Sequence, residues 1–530
     1  MATSRLAVAV LIFMTITVGY PVFAMVRRFA DLGSPGGVSR WSAIDAGLIG
    51  FTIGQAVAST ALTLAIGLPL AHVLARYRFA GQGVVEAATL VPFILPTVVV
   101  AVAVQRLLSP LGVEVDGING SLIAILVAHV VFNVSVVVRI VGGYWRQLDI
   151  RPNEAAALLG AAPWTVFRRV TFPRIAPAIL AAAAVVFFFT FTSFGVIVIL
   201  GGLTRATLET EIYRYAILRN DFGSAAVLAV IQAVAVAGLA LVNQRLQKRL
   251  TAASSSSQAI LGARPIGSLA ERVHATVVVS GTLLFLLAPL LSLAVRSFVV
   301  DGQPGFGNYT ALLDRPAILV ISPARAVLNS ILFAALAALL AALIGTTAAL
   351  AAQAHGRLAH LTEIAVLVPL GISAVTLGFG YLVGFTFGDL RSSPILLITA
   401  HAVIGIPFVV AAVLPALRNF DGGVLDAAAL LGAPPRRVLT KVALPILRPA
   451  LVAGAGFAAA VSLGEFGASG FLARSRSSLT APQAVFGLLG QPAPAFQGQA
   501  AALCVVLGLL VIALVLLIDR GRGSLGRSWL

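Results

Sequence analysis

Glu154-Ala155-Ala156 is followed by Gly160 and then by Val170, Phe172 and Pro173. The same spacing returns as Asp426-Ala427-Ala428, Gly432, Val442, Leu444 and Pro445. Every position of the second copy stands 272 residues after its partner, in a chain of 530. An acidic residue before two alanines, a glycine six residues on and a hydrophobic-x-hydrophobic-proline close do not recur in register by chance. Both copies lie in polar stretches of an otherwise apolar chain, so packing in lipid does not account for them. They suggest two equivalent docking surfaces for something in the cytoplasm.

Composition sets the surroundings of this pattern. The chain is 59% hydrophobic and 10% charged, against about 25% charged residues in a soluble domain. It reads as a polytopic membrane protein. A spanning helix needs about 20 apolar residues. Such runs lie near 6–26, 47–75, 84–108, 120–145, 175–202 and 222–246, and again near 273–297, 324–353, 360–386, 393–418, 447–473 and 497–519. The expected fold is therefore all-α and integral to the membrane, with twelve transmembrane helices in two parallel six-helix repeats.

The duplication is wider than the opening motif. Ala128-His129 recurs as Ala400-His401, and Ser193-Phe194-Gly195 corresponds to Glu465-Phe466-Gly467. Leu90-Val91-Pro92 recurs as Leu367-Val368-Pro369, each preceded by a glutamate, Glu86 and Glu363. Internal repetition carries more weight than any single motif. Six spans per half is an even number, so both halves enter the membrane in the same direction. Arg76 and Arg78, then Arg146, Arg151, Arg168, Arg169 and Arg174, then Arg245, Lys248 and Arg249, and finally Arg520 and Arg522 all follow even-numbered spans. The positive-inside bias places these loops, and with them both termini, in the cytoplasm. Arg27, Arg28 and Arg40 are exceptions on the opposite side, where Glu114 and Asp116 are acidic.

The expected organisation is a first half at 1–250 with its duplicated loop at about 149–174, a linker at 251–272, and a second half at 273–530 with its loop at about 421–446. The linker contains Ser254-Ser255-Ser256-Ser257, Gly262, Pro265 and Gly267 and reads as flexible. Arg5, an apolar stretch and Val22-Phe23-Ala24 could also be read as a signal peptide. The counterpart of this stretch near 273–297 sits in mid-chain, which favours a retained span.

Several function classes are excluded. The net charge of +17 follows the loops between spans rather than a nucleic-acid surface. The lone cysteine, Cys504, rules out an intramolecular disulfide. Lys248 and Lys441 are the only lysines, and neither follows the glycines of a phosphate-binding loop. The chain thus has no P-loop of its own. No zinc-type Cys/His cluster, nucleophile elbow or paired-carboxylate site is visible, so neither a metal nor a cofactor is expected, and the protein is not an enzyme in its own right.

Both loops read as short amphipathic helices, with Leu158 and Leu159 among the apolar contacts of the first and Gly160 at its turn. Glu154 and Asp426 near helix starts are favoured by the macrodipole. The pattern closely resembles the EAA loop of binding-protein-dependent ABC importer permeases of the type I fold, whose form is E-A-A, three residues, G, nine residues, I-x-L-P. Asp426 for Glu, Val170 and Val442 for Ile, and Phe172 for Leu are conservative departures. The resemblance implies that Glu154, Ala155, Ala156, Gly160, Asp426, Ala427, Ala428 and Gly432 form coupling helices. These would dock on two copies of a cytoplasmic ABC ATPase. It further implies an extracytoplasmic substrate-binding protein and a place in the plasma (inner) membrane.

Fusion of two halves in one chain resembles the thiamine and ferric-iron permeases. Ala128–Asn133, Ser193-Phe194-Gly195 with Thr207–Tyr213, and Ser462–Gly467 resemble the thiamine side. Thiamine is therefore the favoured cargo. Ferric iron, or another small ion or a polyamine, is the alternative, and a secondary transporter without an ATPase is the more distant one. Polar groups inside spans mark candidate path residues: Glu465 and its counterpart Ser193, His129 and His401, and Asn133. Glu465 would suit a cationic substrate, or reach the outer interface. The histidines would serve the substrate or, the blander reading, form interhelical hydrogen bonds. Glu209 and Glu211 are expected to be solvated in an outer segment.

Overall fold

The computed structural model describes residues 2–30, 45–113, 120–202, 204–254, 263–354, 356–387, 393–419 and 423–522, apart from 424–427, 429, 474 and 477. Among these, ten helices are long and apolar enough to cross a membrane, and twelve if two bent pairs each count as one span. Aliphatic side chains all round satisfy the lipid, while the helical backbone satisfies its own N–H and C=O groups. Short polar side chains start several spans. Asp45, Ser121, Ser322 and Ser393 accept a hydrogen bond from a backbone N–H of the first turn.

The third and ninth spans, expected at 84–108 and 360–386, are bent pairs. Gln82–Ile94 meets Thr97–Leu111 at 102°, and Arg357–Gly371 meets Ala374–Gly384 at 102°. Different chemistry makes the same bend. In the first half Pro96 forces Leu95 into extended backbone (ψ 147°). In the second, Ile372 is extended and Ser373 Oγ accepts from the backbone N–H of Thr376, starting a new helix in a new direction. The fifth and eleventh spans are also shorter than the apolar runs at 175–202 and 447–473. Phe172–Phe191 is followed by a break and a short helix, Gly195–Leu200. Leu444–Gly464 is followed by a break and Gly467–Leu472.

The chain forms two compact units. One holds Ile44–Thr210 and Val234–Arg296; the other holds Met1–Ala43, Glu211–Ala233 and Ser297–Leu530. In the first unit Ala46–Arg76 crosses Leu122–Arg146 closely. A Cβ on Gly67 would lie 2.8 Å from the Cβ of Val137. The core beside this crossing is Ala71, Ala75, Val136, Val141, Trp145, Ile175, Ala178, Ala182 and Val186. The second unit repeats the crossing with Pro323–Ala352 and Pro394–Arg418, where a Cβ on Gly345 would lie 2.8 Å from the Cβ of Val409. Small residues allow such close backbone approach, which is how helices associate when lipid removes the hydrophobic drive. An ion pair repeats as well: Arg146 to Glu86 at 2.9 Å and Arg418 to Glu363 at 3.4 Å. All four side chains are more than a third exposed, so each pair is worth little more than a few tenths of a kcal/mol.

Each unit has exchanged its first span with the other sequence half. Ser4–Ala30 packs with second-half helices. Tyr20 Oη donates to the Gly384 carbonyl at 2.9 Å, and Gly380 and Gly384 bring their helix against Pro21 and Ala24. Leu269–Ser297 packs with first-half helices, through Ala275 on Val73 and Tyr77 and through Ser292 Oγ donating to the Arg106 carbonyl at 3.2 Å. Residues 255–262 of the expected linker lie outside the described residues. Its end is held in place: Arg264–Pro265 pairs in parallel with Tyr77–Arg78. The Arg264 guanidinium lies 5.7 Å over the Tyr77 ring and pairs with Glu271.

Candidate functional site

The first duplicated loop is a rigid excursion between the fourth and fifth spans. Asp149 Oδ1 accepts from the backbone N–H of Arg151 at 3.0 Å and begins the helix Arg151–Leu158. Two hydrogen bonds fasten the helix to the next span: Asn153 Nδ2 donates to Thr171 Oγ1 at 2.8 Å, and Arg174 Nη1 donates to the Asp149 carbonyl at 2.9 Å. At its end the N–H of Gly160 bonds the Ala157 carbonyl (2.9 Å) and the N–H of Ala161 bonds the Ala156 carbonyl (3.1 Å). This pair of bonds is the Schellman closure, which requires a left-handed residue at the glycine position. Gly160 has φ 80°. Only glycine adopts that conformation at no cost, which explains the glycine of the motif.

In the second loop Asp426 and Ala427 lie outside the described residues. The part described repeats the first. Gly432 has φ 79°, and the N–H of Ala433 bonds the Ala428 carbonyl at 3.1 Å. After each loop come a short helix, a π-helical turn and the next span: Pro163–Val166, Phe167–Thr171 and Phe172–Phe191, then Pro435–Val438, Leu439–Ala443 and Leu444–Gly464.

No residue of Arg151–Leu158 is buried. Glu154 is exposed in its first turn, and Ala155 is exposed beside it. Leu158 and Leu159 are 89% and 88% exposed, and Leu430 and Leu431, each 272 residues later, are 89% and 88% exposed. Two adjacent leucines at the end of each loop helix are apolar surface left uncovered by the described residues. The 272-residue offset is the signal that ties the second pair to the first. Trp164, stacked on Phe167 at 5.5 Å, is a further exposed side chain near the first loop.

The intramembrane candidates form two related clusters. His129, 2% exposed, lies with Nδ1 3.0 Å from Ser59 Oγ and Nε2 2.9 Å from Ser193 Oγ. Asn133 Nδ2 donates to the His129 carbonyl at 2.9 Å, while its Oδ1 is buried with no hydrogen-bond partner among the described residues. His401, 1% exposed, lies with Nδ1 2.8 Å from Ser462 Oγ. Its Nε2 lies 3.0 Å from Ser469 Oγ and 3.2 Å from Glu465 Oε2. The interhelical hydrogen bonds expected of the two histidines are present.

Glu465, 7% exposed, sits in the break after Leu444–Gly464 and does not reach an open interface. Its Oε1 accepts from the N–H of Ala468 at 2.8 Å. Its Oε2 accepts from the N–H of Ser469 at 2.9 Å and from Ser469 Oγ at 3.0 Å. Ser59, Ser462 and Ser469 were not singled out from the sequence, because a serine in an apolar helix gives no signal of what faces it.

Glu209 and Glu211 depart from expectation. Glu209 is fully buried, and Glu211 is 14% exposed and pairs with Arg214 at 2.8 Å. The reason is that their segment turns into the bundle rather than lying on it. The N–H of Leu208 donates to Thr52 Oγ1 at 3.2 Å, and Thr210 Oγ1 accepts from the N–H of Thr207 at 2.8 Å.

Residues 63–252 and 276–527 each match the family described as the binding-protein-dependent transport system inner membrane component. The chain is 27% identical over 503 residues to the thiamine transport system permease protein ThiP of Brucella abortus (strain 2308), covering 91% of this chain and 88% of that protein. It is 28% identical over 435 residues to the protein of the same name from Escherichia coli (strain K12), covering 79% of each. A shorter match, 29% over 188 residues and 33% of this chain, is to the sulfate transport system permease protein CysT of Escherichia coli (strain K12).

Proposed function

Because the chain belongs to the binding-protein-dependent transport system inner membrane components, the permeases of ABC importers, we propose that it forms the path for thiamine. Permeases of this family are multi-pass, non-catalytic proteins of the inner membrane. They work with an ATPase and an extracytoplasmic binding protein. The substrate reading is carried by similarity to thiamine permeases along 91% of the chain, whereas the likeness to a sulfate permease covers only a third.

The duplicated loops are the sockets for two ATPase copies, with both termini on the same, cytoplasmic, side. Glu154, Ala155, Ala156, Gly160, Asp426, Ala427, Ala428 and Gly432 build them, and the exposed leucine pairs supply the apolar contact. The hydrogen bonds from Asn153 to Thr171 and from Arg174 to Asp149 make the first loop one body with the span that follows. Movement of an ATPase against the loop therefore moves the helix. The halves of the repeat are 1–250 and 273–530 with the linker between them. Ser193, Glu465, His129, His401 and Asn133 belong to the translocation path, and Asn133 keeps an unused acceptor there.

Two experiments test these assignments. In proteoliposomes holding the permease, its ATPase and its binding protein, radiolabelled thiamine is expected to accumulate only with ATP, and to do so when a proton ionophore is present. Accumulation that ignores ATP, or preferential uptake of ferric iron, rejects the reading. Glu154→Arg together with Asp426→Arg is expected to lower recovery of the ATPase on the purified permease at least tenfold. The double change reverses the charge that each loop presents and puts a longer side chain where the partner would seat. Undiminished recovery and transport would remove these acids from the socket.

A further inference from the structure

Both histidine clusters sit at the same place in the repeat, where a span stops in mid-course. Phe172–Phe191 ends just before Ser193, and Leu444–Gly464 ends just before Glu465. A helix end within the bundle leaves backbone groups without intrahelical partners. In lipid such ends persist only where other protein groups satisfy them. The imidazole of the fourth span reaches across to the break in each half: His129 Nε2 to Ser193 Oγ at 2.9 Å, His401 Nε2 to Glu465 Oε2 at 3.2 Å. His129 and His401, like Ser193 and Glu465, stand 272 residues apart. A contact kept in register across two halves, while the residue at the break has changed, marks the histidine as the constant element.

We propose that His129 and His401 are positioning residues of the transport cycle, each latching the break of the span that follows it. The latches are unequal. His129 is held by two neutral hydroxyls, Ser59 and Ser193. His401 is held by Ser462, Ser469 and a carboxylate that also ties down the first turn of Gly467–Leu472 through the N–H groups of Ala468 and Ser469. Hydrogen bonds to a charged group are roughly twice as strong as neutral ones. The second-half break is therefore the stiffer of the two. Each break joins a span rooted in a docking loop to a short helix deeper in the bundle. An intact latch passes loop movement on to the short helix. A released latch lets the long helix move alone, so that ATP is hydrolysed without import.

This inference rests on the reading of ATPase-driven import, and its test separates the two. Hydrogen exchange of the complete complex in nanodiscs needs no substrate. His401→Ala is expected to speed exchange at amides 466–469 roughly tenfold, about the effect of losing one hydrogen bond to a charged group. His129→Ala is expected to speed exchange at 194–197 by a smaller factor, with the other break unchanged in each variant. In proteoliposomes with thiamine as probe, His401→Ala should raise the ATP hydrolysed per thiamine imported at least fivefold. His401→Gln, which restores an amide donor towards Glu465, should bring that ratio back most of the way. Exchange that rises evenly through the unit, or ATP hydrolysis and uptake that fall together at a constant ratio, would reduce the histidines to general packing and overturn the proposal. A wild-type permease that moves no thiamine would refute the substrate while leaving the exchange result to judge the latch.

Discussion

Replacing Leu158 and Leu159 with serine is expected to weaken binding of the ATPase to the permease by roughly 100- to 10,000-fold. The two side chains are 89% and 88% exposed in the permease alone. Burying a leucine is worth about 1.5–3 kcal/mol, and about 1.4 kcal/mol is a tenfold change in affinity. The same change at Leu430 and Leu431 should do as much at the other socket, and the fourfold variant should yield permease free of ATPase. Affinity of the purified components, measured in detergent or nanodiscs, decides the matter. Folding is little at risk, because the leucines touch no core. If the loop helices instead only lay on the membrane surface, serine would loosen them from lipid and leave ATPase binding at its wild-type value.

A second large effect is expected inside the bundle. In Gly345→Leu the new Cβ would stand 2.8 Å from the Cβ of Val409 and 3.4 Å from the Ile406 carbonyl oxygen. Overpacking a core by even a methylene or two costs about 1–3 kcal/mol. A whole leucine side chain at a helix crossing should exceed that and part the helices. Cys504 is the chain's only cysteine and is buried in the same compact unit. Its reaction with a thiol dye during heating therefore reports unfolding directly. The labelling midpoint should fall sharply for Gly345→Leu. Gly19→Ala, in the same unit, is the control: its Cβ would meet nothing closer than the Thr15 methyl at 3.7 Å, and alanine in place of glycine in a helix interior is favourable by about 0.5–1 kcal/mol. Equal midpoints for Gly345→Leu and wild type would show that this crossing does not hold the unit together.

Comparison of the two halves explains which features could be read in advance. The loop glycines 160 and 432 and the glutamates at 86 and 363 are matters of residue type at fixed spacing, and they carried through to matching local structure. The glycine of the motif was readable for the same reason, since only backbone conformation demands it. The bends at Leu95-Pro96 and Ile372-Ser373 were not. Pro96 is a visible signal on one side, but on the other the break is set by a serine cap that resembles any other serine. Glu209 is buried against expectation, because a glutamate in a polar stretch reads as solvated and only the fold shows the chain turning inward.

The exposed leucines show the same division. Their hydrophobicity is in the sequence, but a leucine in an apolar protein is ordinarily buried or in lipid, and only the tertiary structure shows these four exposed on the duplicated loops.

Composition and period alone determined that this chain is a duplicated membrane protein with a polar loop motif repeated in each half. Helical spans in lipid require only a run of apolar residues, and duplication leaves a constant offset that needs no structure to measure. The tertiary structure decided where spans break, which first span joins which unit, and what the intramembrane histidines and Glu465 touch. Those outcomes depend on pairings between residues 60 to more than 350 positions apart, as His129 with Ser193 and Tyr20 with Gly384. Hydropathy sums over neighbours in sequence and carries no direction, so it cannot specify which side chains a folded bundle will bring face to face.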